Sequence, residues 1–260
     1  MLICLDAGHY LGTPGKRCLK RIDPGETREW QLNNRIAGKV ETRLAAYDCR
    51  VMRVDDVTGL QDVYLSQRVE MANEAGADVY ISIHHNAGIK GRSGGGIVIF
   101  VAPACSSQSK VLQEAVYRHT VDTTGLRGNR ANPTPERGYY VLKHTKMPAV
   151  LGEFGFMDST TDTPIILTEE YADRVADGIV AALVEVYDLK EDEDMVRFNT
   201  IAEIKQAAGW AEPTIRKMIR KGFIAGSGKK DAQGLPADMD LSMDMIRMMV
   251  MNDAAGVYGT

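Results

Sequence analysis

Apolar runs and amphipathic stretches take turns along the first 190 residues, and this alternation limits the possible folds more than any other feature of the chain. Runs rich in β-branched and aromatic residues read as strands: LICLDA (2–7), CRVMRV (49–54), DVYISIH (78–84), GIVIFVA (96–102), YYVLK (139–143) and PAVLGE (148–153). Between them, EWQLNNRIAGKVETRLAA (29–46), DVYLSQRVEMANEAG (62–76), SSQSKVLQEAVYRHTVD (106–122) and EEYADRVADGIVAALVEVY (169–187) carry apolar residues at helical spacing. Such alternation implies strands lying parallel and covered on both faces. The expected class is α/β: a mostly parallel six-stranded sheet with helices on both faces.

The acidic run KEDED (190–194) ends this regime. Residues 195–260 hold eight of the thirteen methionines and nine Lys/Arg against seven Asp/Glu, with no convincing strand. We read residues 1–189 as one domain, 190–196 as a solvated acidic linker, and 197–260 as a small helical C-terminal module with a Met-rich core. Pro213 stands at a plausible first helical turn there.

A hydrophobic content of 44% and a charged content of 25% suit a soluble globular protein. The net charge of −4 argues against a generally basic nucleic-acid binder. No segment approaches the length of a membrane span, so stable membrane insertion is not expected. MLICLDAGH has no basic, apolar leader, so we expect no signal peptide and a cytoplasmic location until release. Cys4, Cys18, Cys49 and Cys105 form no CxxC pair, and Cys4 and Cys49 read as reduced core residues of strands.

Chemistry-bearing residues stand where strands end. His9 follows the first strand in LDAGHYLGTPG, His84 ends ISIHH, Glu153 ends LGE, and GETREWQLNN opens the first helix with Glu26 and Glu29. In parallel α/β sheets the carboxyl ends of strands converge on ligands. Two imidazoles and a carboxylate make a common catalytic zinc shell, and a further carboxylate can move a proton. The same residues also suit structural roles, as strand-end hydrogen bonders or as acids at a helix start.

The segments LDAGHYLGTPG, EWQLNNRIAGKVETRL, DDVTGLQDVYLSQRVEMANEAGADVYISIHHNA and YYVLKHTKMPAVLGEFGFMDSTTD supply the discriminating pattern. In that order they resemble the zinc-dependent N-acetylmuramoyl-L-alanine amidases of the amidase-3 family, over essentially residues 1–189. The resemblance implies Zn2+ held by His9, Glu29 and His84, with Glu153 activating water. The implied reaction cleaves the amide between the lactyl group of N-acetylmuramic acid and L-alanine of the stem peptide, making bacterial peptidoglycan the partner. One departure is the long basic loop YLGTPGKRCLKRIDPGETRE, which leaves Glu26 as a fallback carboxylate. An endolysin of phage or prophage type is the expected context. A zinc carboxypeptidase on the stem peptide and a non-enzymatic wall-binding protein are the alternatives.

Several neighbours have two readings. His85 should point away from the ligand direction, because side chains alternate along a strand. Ser82 and Asn86 read as support for the site or, for Asn86, as the turn that ends the strand. Asp6 reads either as orienting His9 or as a turn residue. His119 reads as a solvated helix residue and His144 as a loop residue. Arg127, Arg130 and Arg137 lie in a loop that could meet the acidic stem peptide, and Gly94–Gly96 reads as a flexible turn. The tail FNTIAEIKQAAGWAEPTIRKMIRKGFIAGSG has a rhythm similar to one surface-layer-homology repeat, which suggests wall binding. Its RKMIRK run would suit a helix-turn-helix DNA reader, and MDMIRMMVM would suit a homo-oligomer. Met195 could be an internal translation start.

Overall fold

The first apolar run becomes β1 (Leu2–Ala7), which lies inside a five-stranded sheet of order β2-β1-β3-β5-β4. The molecule is a computed structural model that describes residues 1–192, 197–254 and 256. The other strands are β2 (Arg50–Arg53), β3 (Val79–Asn86), β4 (Ile97–Phe100) and β5 (Ala149–Phe156). β2, β1, β3 and β5 pair in parallel, and β4 runs antiparallel at one edge. The mostly parallel α/β reading holds.

Alternation along each strand divides the core in two. Ile3, Leu5, Ala7, Val79, Ile81 and Ile83 pack under α1 (Glu29–Leu44), α3 (Ser107–Thr124) and α6 (Glu169–Tyr187). Cys4, Tyr80, Val98, Phe100 and Leu151 face α2 (Leu65–Glu74) and the single turn α4 (Tyr140–His144). The second layer is thinner, and it holds the polar positions Asp6 and Ser82. Between β5 and α6 lies the short helix α5 (Thr163–Ile166).

The expected sixth strand is not one. Residues 139–143 fall mostly in α4, where neighbouring Val141 and Leu142 are both buried while Tyr139 and Tyr140 stay exposed. A strand sends neighbours to opposite faces, whereas one helical turn can seat both on the layer shared with Val69 and Ala72 of α2. A five-residue apolar run does not distinguish the two by periodicity. Cys4 is buried in β1 as expected, while Cys49 lies just before β2 and is half-buried.

The chain divides into compact units at 190/191. The second unit contains β6 (Arg197–Phe198), α7 (Ile201–Ala207), a 3-10 turn (Gly209–Ala211), α8 (Glu212–Arg220), β7 (Leu241–Ser242) and α9 (Met243–Ala254). Thr200 and Glu203 close a capping box on α7, and Pro213 sits in the first turn of α8. The strand content missed in sequence is the two-residue antiparallel pair β6–β7, too short to leave an alternating pattern. Phe198, Ile204, Ile215, Met218 and Ile246 form the core, whereas Met245, Met248 and Met251 remain exposed. Met195 lies outside the described residues.

Candidate metal centre at the strand ends

The turn after β1 is shaped around a histidine from the neighbouring strand. A Cβ added to Gly8 would lie 2.0 Å from Cε1 of His84, so only glycine lets that ring cross the turn. His9 follows with φ +70, a left-handed backbone that non-glycine residues adopt at a cost of about 1 kcal/mol. Three bonds hold it there. Gly8 N donates to Ile83 O (3.0 Å), Asn33 Nδ2 donates to Gly8 O (3.0 Å), and Arg68 Nη2 donates to His9 O (2.9 Å).

Glu29, the first residue of α1, is fully buried beneath this turn. Its Oε1 lies 3.0 Å from His84 Nδ1 and 3.3 Å from His9 Nε2, and accepts a bond from the His85 amide at 3.2 Å. Candidate ligand atoms of His9, Glu29 and His84 all lie within 4.8 Å of one another. Glu26 is elsewhere, paired with Arg17 (3.2 Å) and Lys20 (3.7 Å). Burial opposes charge on Glu29, but the bonds and charges of His84 and His9 outweigh it and hold the carboxyl well below its usual range. On His84 burial disfavours the cation, yet Glu29, Glu153 and Asp6 together raise its pKa; on His9 burial wins and lowers it.

Glu153 reaches the same point from β5. The β3–β5 register pairs His84 with Glu153, and paired residues of parallel strands share a face. Its Oε2 is buried with no hydrogen-bond partner. Burial pushes this carboxyl up to about 7, with Glu29 adding to the rise and His84 and Lys16 opposing it. Two carboxylates at one site are thus driven apart, one firmly anionic and one poised to exchange a proton near neutrality.

Buried polar atoms are normally well paired, yet His9 Nε2 and Glu29 Oε2 make only long contacts, 3.3 Å to Glu29 Oε1 and 3.5 Å to Lys16 Nζ. Two imidazoles, one carboxylate and under-paired atoms at the point of convergence fit a zinc-class cation. The centre opens into a cleft of about 540 Å³ lined by Lys16, Tyr64, Asn86, Tyr139 and Tyr140 among others.

The other sequence candidates separate clearly. His85 turns to the opposite face, its buried Nδ1 2.8 Å from Asn33 Oδ1, and burial drives its pKa down to about 3. Asp6 does not touch the His9 side chain. It accepts from Arg68 Nη1, Tyr80 OH (2.9 Å) and Ser82 Oγ (2.8 Å), and Arg68 in turn holds the His9 carbonyl. Ser82 therefore serves Asp6. Asn86 accepts its neighbour's amide, Ala87 N, at 2.8 Å, a turn role, and also lines the cleft. His119 pairs with Glu185 on the helix surface, and His144 ends α4 stacked against Tyr140. Arg130 lies over the Phe156 ring, and none of Arg127, Arg130 and Arg137 is among the cleft-lining residues. The glycine turn is pinned, since Gly96 N donates to Asp162 at 2.7 Å. Sequence reasoning missed Arg68, Tyr80 and Asn33. Arg68 carried a signal, because it stands four residues before Ala72 on the buried stripe of α2, where an arginine demands a buried anion.

The N-acetylmuramoyl-L-alanine amidase profile of the amidase-3 family matches residues 3–185. The chain belongs to that family. It is 29% identical over 168 residues to the N-acetylmuramoyl-L-alanine amidase CwlM of Bacillus licheniformis, covering 65% of this chain and 63% of that one. A sporulation-specific amidase of Bacillus subtilis is 28% identical, with 65% of each chain covered. The chain thus spans slightly under two thirds of those relatives. The endolysin of Bacillus phage SPP1 is 30% identical over 239 residues, 88% of this chain and 81% of that one. Among solved structures, the catalytic domain of CwlV from Bacillus (Paenibacillus) polymyxa is 26% identical with a TM-score of 0.64, covering 73% of this chain and 99% of that domain. An amidase from Clostridium difficile 630 is 28% identical with the same TM-score, 0.64.

Proposed function

We propose that this chain is a zinc-dependent peptidoglycan amidase of endolysin type, hydrolysing the amide between the lactyl group of N-acetylmuramic acid and L-alanine of the stem peptide. The observation that carries the reading is the convergence of His9, Glu29 and His84 beside Glu153, which is paired in register with His84. Family membership supports the substrate. The endolysin context is supported by the SPP1 relative, whose alignment covers 88% of this chain and so extends past the first unit, residues 1–190. We take residues 1–189 as the catalytic domain and the tail beyond the acidic linker as a wall-binding or oligomerising module, acting once the membrane has been breached.

His9, Glu29 and His84 would hold the ion. When bound, zinc would supply Lewis acidity to the scissile carbonyl and the attacking water. Glu153 accepts the proton of that water as its oxygen bonds to the carbonyl carbon. It then delivers the proton to the alanine nitrogen as the C–N bond breaks, leaving a lactyl carboxylate and a free amino terminus. A carboxyl raised by burial suits both halves of this exchange. Since the deprotonated form is the acceptor, activity should rise with pH through the pKa of Glu153, which burial raises and a neighbouring cation lowers. Asn33 and the His85 amide keep the turn and Glu29 in place.

The test is digestion of purified walls with the zinc-loaded protein, combined with metal analysis. New L-alanine amino termini with stem peptides of unchanged length are expected. Shortened stem peptides without new alanine termini would overturn the amidase reading.

A further inference from the structure

The cleft beside the metal centre has two unlike sides. On the Glu153 side, α2 and α4 open with Tyr64–Leu65 and Tyr139–Tyr140, four large side chains that line the cleft yet stay exposed. The helices pack on each other, so the pairs belong to one wall. The two rings that open α4 are braced: Tyr139 meets Phe100 edge-on at 5.2 Å, and Tyr140 lies tilted against His144 at 4.2 Å. Phe100 lies on β4, which pairs with β5 at Val98–Glu153, so this wall belongs to the Glu153 side of the cleft. Exposed apolar side chains gathered at a cleft mark a ligand surface.

On the Glu29 side the wall is the basic β1–α1 loop. Lys16 is anchored through its carbonyl, which accepts the Glu29 amide at 3.1 Å, and its Nζ lies 3.5 Å from Glu29 Oε2 with the side chain 44% exposed. Thr13 also lines the cleft, its hydroxyl accepting the Tyr10 amide at 3.1 Å. Aromatic rings suit the apolar faces of a pyranose, and an ammonium suits a carboxylate.

We propose that the cleft is polarised, with Tyr64 and Tyr140 holding the N-acetylmuramoyl ring on the Glu153 side and Lys16 taking a carboxylate of the stem peptide on the Glu29 side. This rests on the amidase reading, and it adds the direction in which the substrate lies. The scissile amide joins the two halves, so an enzyme that recognised both would spare unrelated amides.

The experiment crosses variants with substrates. Tyr64→Ala, Tyr140→Ala and Lys16→Met are assayed in the zinc-loaded full chain on a muramoyl peptide, the same compound with its peptide carboxylates amidated, and a lactoyl peptide without the sugar. Each tyrosine variant should lose about fivefold to tenfold in kcat/KM, chiefly through KM, on both sugar substrates, and much of that loss should vanish on the lactoyl peptide. Tyr140→Phe should keep the wild-type preference. Lys16→Met should lose about fivefold on the carboxylate substrates, and amidation should erase most of the difference. Losses equal on all three substrates, or assigned to the opposite halves, would overturn the proposal. So would a fall in bound zinc that accounts for the Lys16→Met loss. A wild-type protein that releases no amine from any of the three would defeat the amidase reading itself, a separate outcome.

Discussion

Two charged clusters lie next to each other where β1 and β3 run out, one around Asp6 and Ser82 and one around His84, and they obey opposite rules. In the lower one Asp6 accepts from Arg68, Tyr80 and Ser82, and Arg68 also donates to the carbonyls of Ala7, His9 and Val63. In the upper one Glu153 Oε2 is buried without a hydrogen-bond partner, and His9 Nε2 and Glu29 Oε2 make only long contacts to Glu29 Oε1 and Lys16 Nζ. A satisfied buried network fixes one geometry, whereas unsatisfied polar atoms at a cleft are held ready for something else. The lower cluster braces the turn on which the upper one stands, since Arg68 grips the strained His9 backbone.

The contrast breaks most visibly at Glu153. Glu153→Gln should lower turnover by about 10³–10⁴-fold while zinc content and thermal stability are retained. Metal analysis and melting curves beside a wall-lysis assay decide it, and near-normal lysis would remove Glu153 from the chemistry. Asp6→Ala should do the reverse, costing about 3–5 kcal/mol of stability because it leaves Arg68 buried without its anion. Denaturant unfolding of the metal-free chain measures that, and a cost below 1 kcal/mol would show the lower cluster to be dispensable.

A third test uses pH. The folded pKa of His85 is lowered to about 3 from 6.5, so its contribution to stability is complete above 6.5 and is lost as pH falls from there toward 3. The expected loss is on the order of 3 kcal/mol between pH 7 and pH 4. Unfolding midpoints across that range check it, and His85→Gln should flatten the slope. The smallest effect belongs to Tyr80→Phe. Removing one of three donors to Asp6 should cost about 1 kcal/mol and leave zinc binding intact. A loss of metal there would mean that the two clusters are not separable.

Much of this was legible in the chain. The parallel sheet followed from alternating runs, and His9 and Glu29 stand at element ends as read, whereas β3 runs on past His84 to Asn86 and β5 past Glu153 to Phe156. The sixth strand failed because YYVLK is too short for its period to be read, and its burial is decided by α2, a neighbour distant in sequence. Asp6 and Arg68 were each visible, but 62 residues separate them, and no local pattern pairs them.

The histidine doublet shows where the boundary lies. Strand alternation alone determined that His84 and His85 part company, because the backbone repeats every two residues. Only the tertiary structure decided what each one meets. His84 finds Glu29 and Glu153, and His85 finds Asn33, because packing α1 against the sheet and pairing β5 with β3 bring residues distant in sequence to the same point. Local periodicity sets the direction of a side chain, while burial and charge are set by what the fold places opposite it.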